Sequence, residues 1–240
     1  ADLPIPAALG GFGLSIVKDQ LGFEDNVGMN LGYSYHLDLG AGTMGIGLAL
    51  NFTNRAVDFS LARPLVDNDA AIPSGKQTDM LFDGNLGVFY MIPETFYVAA
   101  SVTSLLETKG KVLSANATSS ASFVGDRTFY LVAGYEYQFV NTLFKINPSM
   151  CLMSDIANTQ FNIGMKGWYN DKFWVGVNYR YQESVAVMAG FSIKGLLLSY
   201  AYDINTMGIG LKGSHEVSLS YCFKLNLDKS PRIYRSARYL

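Results

Sequence analysis

The sequence predicts an all-β protein, a transmembrane antiparallel β-barrel of the outer-membrane type with about twelve strands. Three observations predict it: strict alternation of apolar and polar residues, segments of about ten residues that suit a tilted membrane strand, and an unusual composition. The chain has 49% hydrophobic but only 16% charged residues, whereas a soluble domain has roughly 25% charged residues. No window reaches the roughly 18 uninterrupted apolar residues of a spanning helix. Because only helices and closed β-barrels can pair all of their backbone groups in lipid, an apolar chain without spanning helices indicates a barrel.

The alternation is clearest over residues 27–37. One face there carries Val27, Met29, Leu31, Tyr33, Tyr35 and Leu37, and the other carries Gly28, Asn30, Gly32, Ser34 and His36. The same division recurs over residues 160–169 and 173–181. Periodicity alone also fits a soluble sandwich, but Gly and polar residues on the second face and Tyr and Phe at segment ends favour a barrel in lipid.

The predicted strands follow one another with turns between them. They cover approximately residues 8–18, 24–37, 41–52, 81–91, 95–103, 127–139, 142–154, 159–169, 172–182, 184–194, 196–203 and 214–225. Every second connection is short, at 38–40, 92–94, 140–141, 170–171 and Gly195. Since bacterial barrels have short periplasmic turns and longer outer loops, this parity places both chain ends in the periplasm.

Two regions result from this division. Residues 1–225 form the barrel, with long extracellular loops at 53–80 and 104–126, and residues 226–240 form a periplasmic basic and aromatic tail. The tail residues proposed to dock a partner are Arg232, Tyr234, Arg235, Arg238 and Tyr239, because Arg and Tyr are frequent anchors of interfaces. The alternative is a chain end that contacts nothing.

Five residues are predicted to line the lumen by their place in the alternation. They are His36, Glu136, Lys145, Lys166 and Arg180. The four charged residues would either line a conducting pore or pair with one another in a plugged interior, since barrel interiors are polar in both cases. His36 and His215 lack the partners of a catalytic triad or metal site, and no G-x-S-x-G elbow occurs. We therefore expect no enzyme and no catalytic residue.

The remaining polar features indicate neither cofactor nor nucleic acid. The net charge of −2 and the lack of a basic stripe argue against nucleic-acid binding. Asp67–Asp69, Asp79 and Asp83 could suggest calcium, but their spacing follows no known calcium loop and indicates a solvated acidic loop. Cys151 and Cys222 have no metal or redox spacing. We expect no metal and no cofactor.

A family resemblance is carried by four short motifs between Trp174 and Tyr221. They are Tyr-Arg-Tyr-Gln at 179–182, Met-Ala-Gly-Phe at 188–191, Tyr-Ala-Tyr-Asp at 200–203 and Gly-Ser-His-Glu at 213–216. In this order they resemble the PorP/SprF family of type IX secretion membrane proteins. The Gly-rich segment Gly11–Gly22 and the Arg/Tyr-rich end are also similar to that family. The sequence lacks the Asn-Pro and Tyr motifs that precede this segment in the family, which suggests a missing strand pair and about fourteen strands in the full protein.

The resemblance implies a component of the type IX machinery that assists export of adhesin-type proteins and holds them at the surface, in some members for gliding motility. The implied partners are outer-membrane lipids, a secreted client at the extracellular loops, and periplasmic or outer-membrane secretion components. The alternative function is a diffusion channel or hydrophobic-compound transporter of the porin or fatty-acid-transporter type. In that case Glu136, Lys166 and Arg180 would tune its selectivity.

Overall fold

The structure, a computed structural model, describes residues 1–5, 9–61, 75–110, 125–208 and 213–223. These residues are all-β, apart from one 3-10 turn at Phe59–Leu61. The strands are β1 (Asp2–Ile5), β2 (Gly10–Leu21), β3 (Glu24–Leu39), β4 (Gly42–Asp58), β5 (Lys76–Ile92), β6 (Phe96–Thr103), β7 (Thr128–Tyr135), β8 (Tyr137–Gln138), β9 (Phe144–Ser154), β10 (Thr159–Tyr169), β11 (Phe173–Arg180), β12 (Ser184–Ile193), β13 (Leu196–Asn205) and β14 (Ser214–Tyr221). Across the described ranges, no helix has the length and apolar character needed to cross a membrane.

The fourteen strands belong to one sheet in which chain neighbours are also sheet neighbours. The order runs from β1 to β14, except that β8 pairs only with β9. β8 continues the path of β7 beyond a break at Glu136, whose backbone amide instead donates to the Thr95 carbonyl, with 2.6 Å between N and O. An antiparallel meander of this kind needs only hairpin connections, in agreement with the predicted fold class.

All twelve predicted strands are present, and the two additional elements are β1 and β8. The predicted strand over 127–139 is divided in two by the break at Glu136. β1 is missing from the prediction because its four residues contain Pro4 and are too short to show a period. It pairs antiparallel with β2, with Asp2 opposite Gly13.

Contacts divide the chain into two compact units. Unit 1 comprises Ala1–Leu37, Gly45–Val88 and Ser101–Phe129. Unit 2 comprises Asp38–Met44, Phe89–Ala100 and Tyr130–Leu240. Unit 2 contains β9 to β14 entire, and unit 1 contains β1 and β2.

The apolar side chains of the strands are exposed rather than packed against one another. On β11, Val175, Val177 and Tyr179 are 66%, 45% and 44% exposed, whereas Trp174 on the opposite face is 8% exposed. Among the described residues only Ala56, Val57, Met91 and Trp174 are buried hydrophobic residues. A soluble sandwich would bury the apolar face instead, so the alternation has the orientation predicted for a membrane strand.

Because successive strands are antiparallel, the connections divide into two alternating classes. One class contains the five predicted short turns, and the strand ends they join are called the short-turn end below. The β10–β11 turn is typical: Asn170 and Asp171 have φ values of +54° and +51°, in the left-handed region that tight hairpin turns use. The longest connections, β4–β5 and β6–β7, both belong to the other class, whose strand ends are called the long-loop end.

Candidate functional site

Four predicted lumen residues lie in unit 2, three of them on one polar face. Lys166 on β10 and Arg180 on β11 alternate with exposed apolar residues, and both are partly buried. Lys145 on β9 lies directly opposite Trp168 on β10, which places it on the same face. Glu136, at the break between β7 and β8, contacts Lys145. Of the predicted lumen residues, the structure thus brings Glu136 and Lys145 into direct contact.

Lys145 joins two carboxylates at the short-turn end. Its Nζ lies 3.4 Å from Glu136 Oε1 and 2.7 Å from Asp171 Oδ1. Asn147 Nδ2 donates a hydrogen bond of 3.0 Å to the second Glu136 oxygen. The side chain of Glu136 is only 13% exposed, whereas that of Asp171 is 78% exposed. Of the four predicted lumen charges, Lys145 and Glu136 therefore pair with each other, and the choice between an open pore and a plugged interior stays a prediction.

Two tryptophans form the centre of the polar face beside this cluster. Trp168 and Trp174 are opposite each other in the β10–β11 pair, and their ring centroids are 6.0 Å apart. Lys145 Nζ lies 5.7 Å from the Trp168 ring centroid, and Lys166 Nζ lies 4.9 Å from that of Trp174. Such contacts are attractive cation–π interactions. Sequence reasoning placed both tryptophans on this face but assigned them no role.

Gly190 makes room for the Trp174 ring. A Cβ atom at Gly190 would lie 2.6 Å from Trp174 Cε2 and 2.7 Å from the Leu198 carbonyl oxygen. Gly190 is opposite Trp174 in the β11–β12 pair. The indole therefore fits over the neighbouring strand β12 because Gly190 has no side chain.

Arg180 is neutralised near the long-loop end. Its Nη1 lies 2.8 Å from Glu183 Oε1, and its Nε donates to Asn162 Oδ1 over 3.3 Å. Gln160 Nε2 donates to the other Glu183 oxygen. Arg180 thus connects β10, β11 and the β11–β12 turn instead of carrying a free charge.

A cavity of about 240 Å³ opens on the polar face of unit 2. Lys166 and Arg180 lie on one side of its lining, and Asp203 and Glu216, on β13 and β14, lie on the other. Sequence reasoning missed both carboxylates. The signal was available in the alternation of β13 and β14, but choosing them required the register, which sets Glu216 opposite Ala201.

The two histidines are in different surroundings. His36 is in unit 1, on the polar face of β3 with Ser34, and its Nε2 is 2.9 Å from the Ser34 hydroxyl. His215 lies opposite Tyr202 on β14 and its Nδ1 is 2.6 Å from the Tyr200 hydroxyl. Both of these tyrosines belong to the apolar set of β13. His36 fits the predicted polar face, but it does not belong to the unit 2 cluster.

Asp83 has a different environment from the solvated loop that the sequence indicated. It lies within β5 and is 8% exposed. Its Oδ1 accepts hydrogen bonds from the amides of Gly84 (2.7 Å) and Leu106 (2.9 Å), and its Oδ2 accepts one from the Thr108 amide (3.3 Å). The prediction of a solvated acid is therefore wrong for Asp83, because non-local backbone donors that no sequence pattern reveals enclose its carboxylate. Asp67–Asp69 lie outside the described residues.

Several other predictions fall partly or wholly outside the described chain. The tail residues Arg232, Tyr234, Arg235, Arg238 and Tyr239 all do, as do the central parts of the loops at 53–80 and 104–126. Both cysteines are described as free thiols; Cys151 is half-buried and Cys222 is exposed.

Comparison with known proteins identifies a family. A family model described as "Type IX secretion system membrane protein PorP/SprF" matches residues 1–221. Among solved structures, the chain is similar to the crystal structure of a Pseudomonas aeruginosa FadL homologue, with 11% identity and a TM-score of 0.47 over 84% of this chain and 68% of that one. The comparison with curated proteins finds no match.

Proposed function

Because the chain belongs to the PorP/SprF family of type IX secretion system membrane proteins, we propose that it assists export of secreted adhesin-type proteins and anchors them at the cell surface. Family membership and fourteen antiparallel strands assign it to the transmembrane β-barrels of the outer membrane. In this proposal the long-loop end faces the outside and binds the client. The short-turn end faces the periplasm, where secretion components meet the protein.

One observation supports the client-binding role most directly. The two longest connections leave from four strands that are neighbours in the sheet, β4, β5, β6 and β7. Loops that rise from adjacent strands can contribute to one binding surface, and binding residues are often found on loops held by a rigid sheet. A bare pore would not need its longest loops side by side.

Deletion of the gene tests this role. We expect the anchored protein to leave the cell surface and appear in the culture medium, as seen by comparing surface and medium protein patterns. Re-expression of the chain with residues 59–75 replaced by a short turn should restore the barrel in the outer membrane. It should not restore full retention of the anchored protein at the cell surface. Unchanged surface retention in the deletion strain would contradict the proposal.

The tail forms a second part of the proposal. Residues Arg232, Tyr234, Arg235, Arg238 and Tyr239 are proposed to dock a periplasmic or outer-membrane secretion component. Purification of native complexes with and without residues 228–240 tests this directly. We expect a co-purifying secretion component that is lost on truncation, whereas equal recovery from both forms would contradict docking.

A diffusion channel is the second candidate function, and the cavity on the polar face favours it. Lys166 has no ion-pair partner among the described residues, and Asp203 Oδ1 is buried without a hydrogen bond to them. Charges of both signs beside an open path would set ion preference. Planar-bilayer recording separates the candidates: steady conductance whose ion preference shifts in Lys166→Gln supports a channel, and little conductance supports the anchoring role.

A further inference from the structure

We propose that Asp83, Asn85 and Arg127 are positioning residues that hold the base of the β6–β7 loop, residues 104–110 and 125–127, in place for binding of the secreted client. This loop clamp, as the three residues are called below, deepens the proposed function and rests on it. The contacts themselves belong to unit 1 and do not depend on what the loop binds.

The first part of the clamp fastens the start of the loop to β5. Asp83 binds the amides of Leu106 and Thr108 in this segment. In addition, the Ser104 amide donates to Asn85 Oδ1 over 3.2 Å. The Leu105 amide donates to the Gly84 carbonyl over 2.9 Å, and the Thr108 hydroxyl donates to the Phe82 carbonyl. The segment from Ser104 to Thr108 is therefore held along its whole length, although it is not part of the regular β6 strand.

The second part fastens the far end of the same loop. Arg127 Nη2 donates to the Leu105 carbonyl over 2.8 Å and lies 3.6 Å from Glu107 Oε2. The Gly125 amide also donates to the Thr108 carbonyl, over 3.3 Å. The chain that enters the loop and the chain that leaves it are thus joined to each other as well as to β5.

The burial of Asp83 explains why the segment from Ser104 to Thr108 stays against β5. An ionised carboxylate with so little solvent contact is costly unless donors replace the lost water. Three backbone amides supply that replacement, two of them from the loop segment. If the segment left β5, the carboxylate would lose those charge-assisted bonds. The loop base is therefore ordered before a client arrives, which reduces the entropy that binding must remove.

Limited trypsin digestion of the purified full-length protein in detergent tests the clamp itself. Trypsin can cut this loop after the exposed Lys109. In Asp83→Ala we expect cleavage there to be about tenfold faster than in the wild type, since both hydrogen bonds from the Asp83 carboxylate to the segment are lost. Asp83→Asn should fall between the two, because it keeps one acceptor oxygen. Unchanged cleavage in Asp83→Ala would overturn the clamp.

Asp155→Asn is the matched control. Asp155 lies in the β9–β10 turn, also at the long-loop end, and its Oδ1 accepts a hydrogen bond from the Asn158 amide. That bond lowers the pKa of Asp155, so this carboxylate is ionised at neutral pH. Asp155→Asn, like Asp83→Asn, therefore removes a carboxylate charge that accepts a backbone hydrogen bond, but it does so in the β9–β10 turn and not in the β6–β7 loop. Cleavage after Lys109 should match the wild type in this variant, and equal acceleration in the Asp83 and Asp155 variants would contradict a local clamp.

Arg127→Gln keeps the test decisive if the Asp83 variants fail to fold. The Arg127 side chain is 38% exposed, so its loss should not prevent folding, which heat-modifiable gel migration checks. The variant loses the Arg127 contacts with Leu105 and Glu107 and keeps the Asp83 carboxylate. Faster cleavage in a folded Arg127→Gln protein supports the clamp, and wild-type cleavage contradicts it.

Client retention in cells separates the clamp from the proposed function. If gene deletion releases a surface protein, folded Asp83→Asn should release it partially and Asp155→Asn should not. Full retention by a variant whose loop is demonstrably opened would overturn the positioning role while leaving the anchoring function intact. If deletion releases nothing, the anchoring function fails, and the positioning role fails with it, although the trypsin result still stands for the clamp contacts.

Discussion

At the scale of single residues, Trp174 and Gly190 show how the polar face is built. The largest buried side chain of that face lies over a position without a side chain. A methyl group added at Gly190 would meet the Leu198 carbonyl and the Trp174 ring. Neither can move away easily, because the carbonyl belongs to the sheet backbone and the Trp174 side chain is buried.

Gly190→Ala should therefore destabilise the folded protein by about 1–3 kcal/mol, the usual cost of forcing an extra carbon into a packed region. Urea unfolding in lipid vesicles, followed by tryptophan fluorescence, measures this. Gly167→Ala is the control, since a Cβ there meets no atom within 4 Å, and it should be close to neutral. Equal effects of the two substitutions would contradict the packing of Trp174 on Gly190.

The Lys145 cluster predicts unequal effects from its two carboxylates. Lys145→Met leaves Glu136, which is 13% exposed, without its cation, and should cost about 1–3 kcal/mol because a charged group loses its partner. Asp171→Asn should cost less than about 1 kcal/mol, because Asp171 is 78% exposed and water screens the pair. The same unfolding measurement compares them, and a larger loss for Asp171→Asn would be inconsistent with the cluster.

Sequence alone could place these residues on a face but could not pair them. Alternation predicted Lys145, Lys166 and Arg180 on one polar face, and the structure has them on one face of β9, β10 and β11; that this face lines a lumen stays a prediction. Their partners depend on which strands are neighbours and at what register, as in the contacts of Lys145 with Asp171 and of Arg180 with Glu183. Asp83 could not be foreseen for a related reason, since its donors come from a segment more than twenty positions away.

At the scale of strands, the period of two decides which substitutions the protein tolerates. Val177 and Asn178 are adjacent on β11, but Val177 belongs to the exposed apolar set and Asn178 lines the cavity. The lipid-facing side of a membrane strand tolerates charge poorly, while the interior side accepts it.

Val177→Lys should therefore destabilise the protein by about 2–4 kcal/mol, the cost of a basic side chain near the bilayer midplane. Asn178→Lys should change the unfolding free energy by less than about 1 kcal/mol, since a polar interior accommodates charge. Unfolding in vesicles of the two variants gives the comparison directly. A larger penalty for Asn178→Lys would reverse the assignment of the faces.

Strand prediction succeeded where a long alternating run was present and failed where it was short or broken. β10 and β11 were recognised within a few residues of their bounds. The break at Glu136 was missed, because its neighbours Tyr135 and Tyr137 continue the apolar pattern while the Glu136 amide bonds to the Thr95 turn. Backbone bonds of that kind leave no trace in side-chain periodicity.

At the scale of the whole molecule, exposure of the apolar strand faces is the property that suits the chain to a membrane. The chain exposes large hydrophobic side chains along β2 to β14, whereas the described residues include only four buried hydrophobic residues. Such a surface is suited to hydrocarbon and would aggregate in water. Aromatic pairs near the short-turn end, such as Phe144 and Tyr169 with ring centroids 4.8 Å apart, fit the girdles that mark membrane interfaces.

The most direct test of this orientation is a nitroxide scan along β11 in lipid vesicles, in a background with Cys151→Ser and Cys222→Ser. Labels at Val175, Val177 and Tyr179 should be accessible to oxygen dissolved in lipid, and labels at Gly176 and Asn178 to a water-soluble nickel reagent. The two accessibilities should alternate with a period of two residues. Odd-numbered labels shielded from both reagents, as in a dry interior between two layers, would contradict the account.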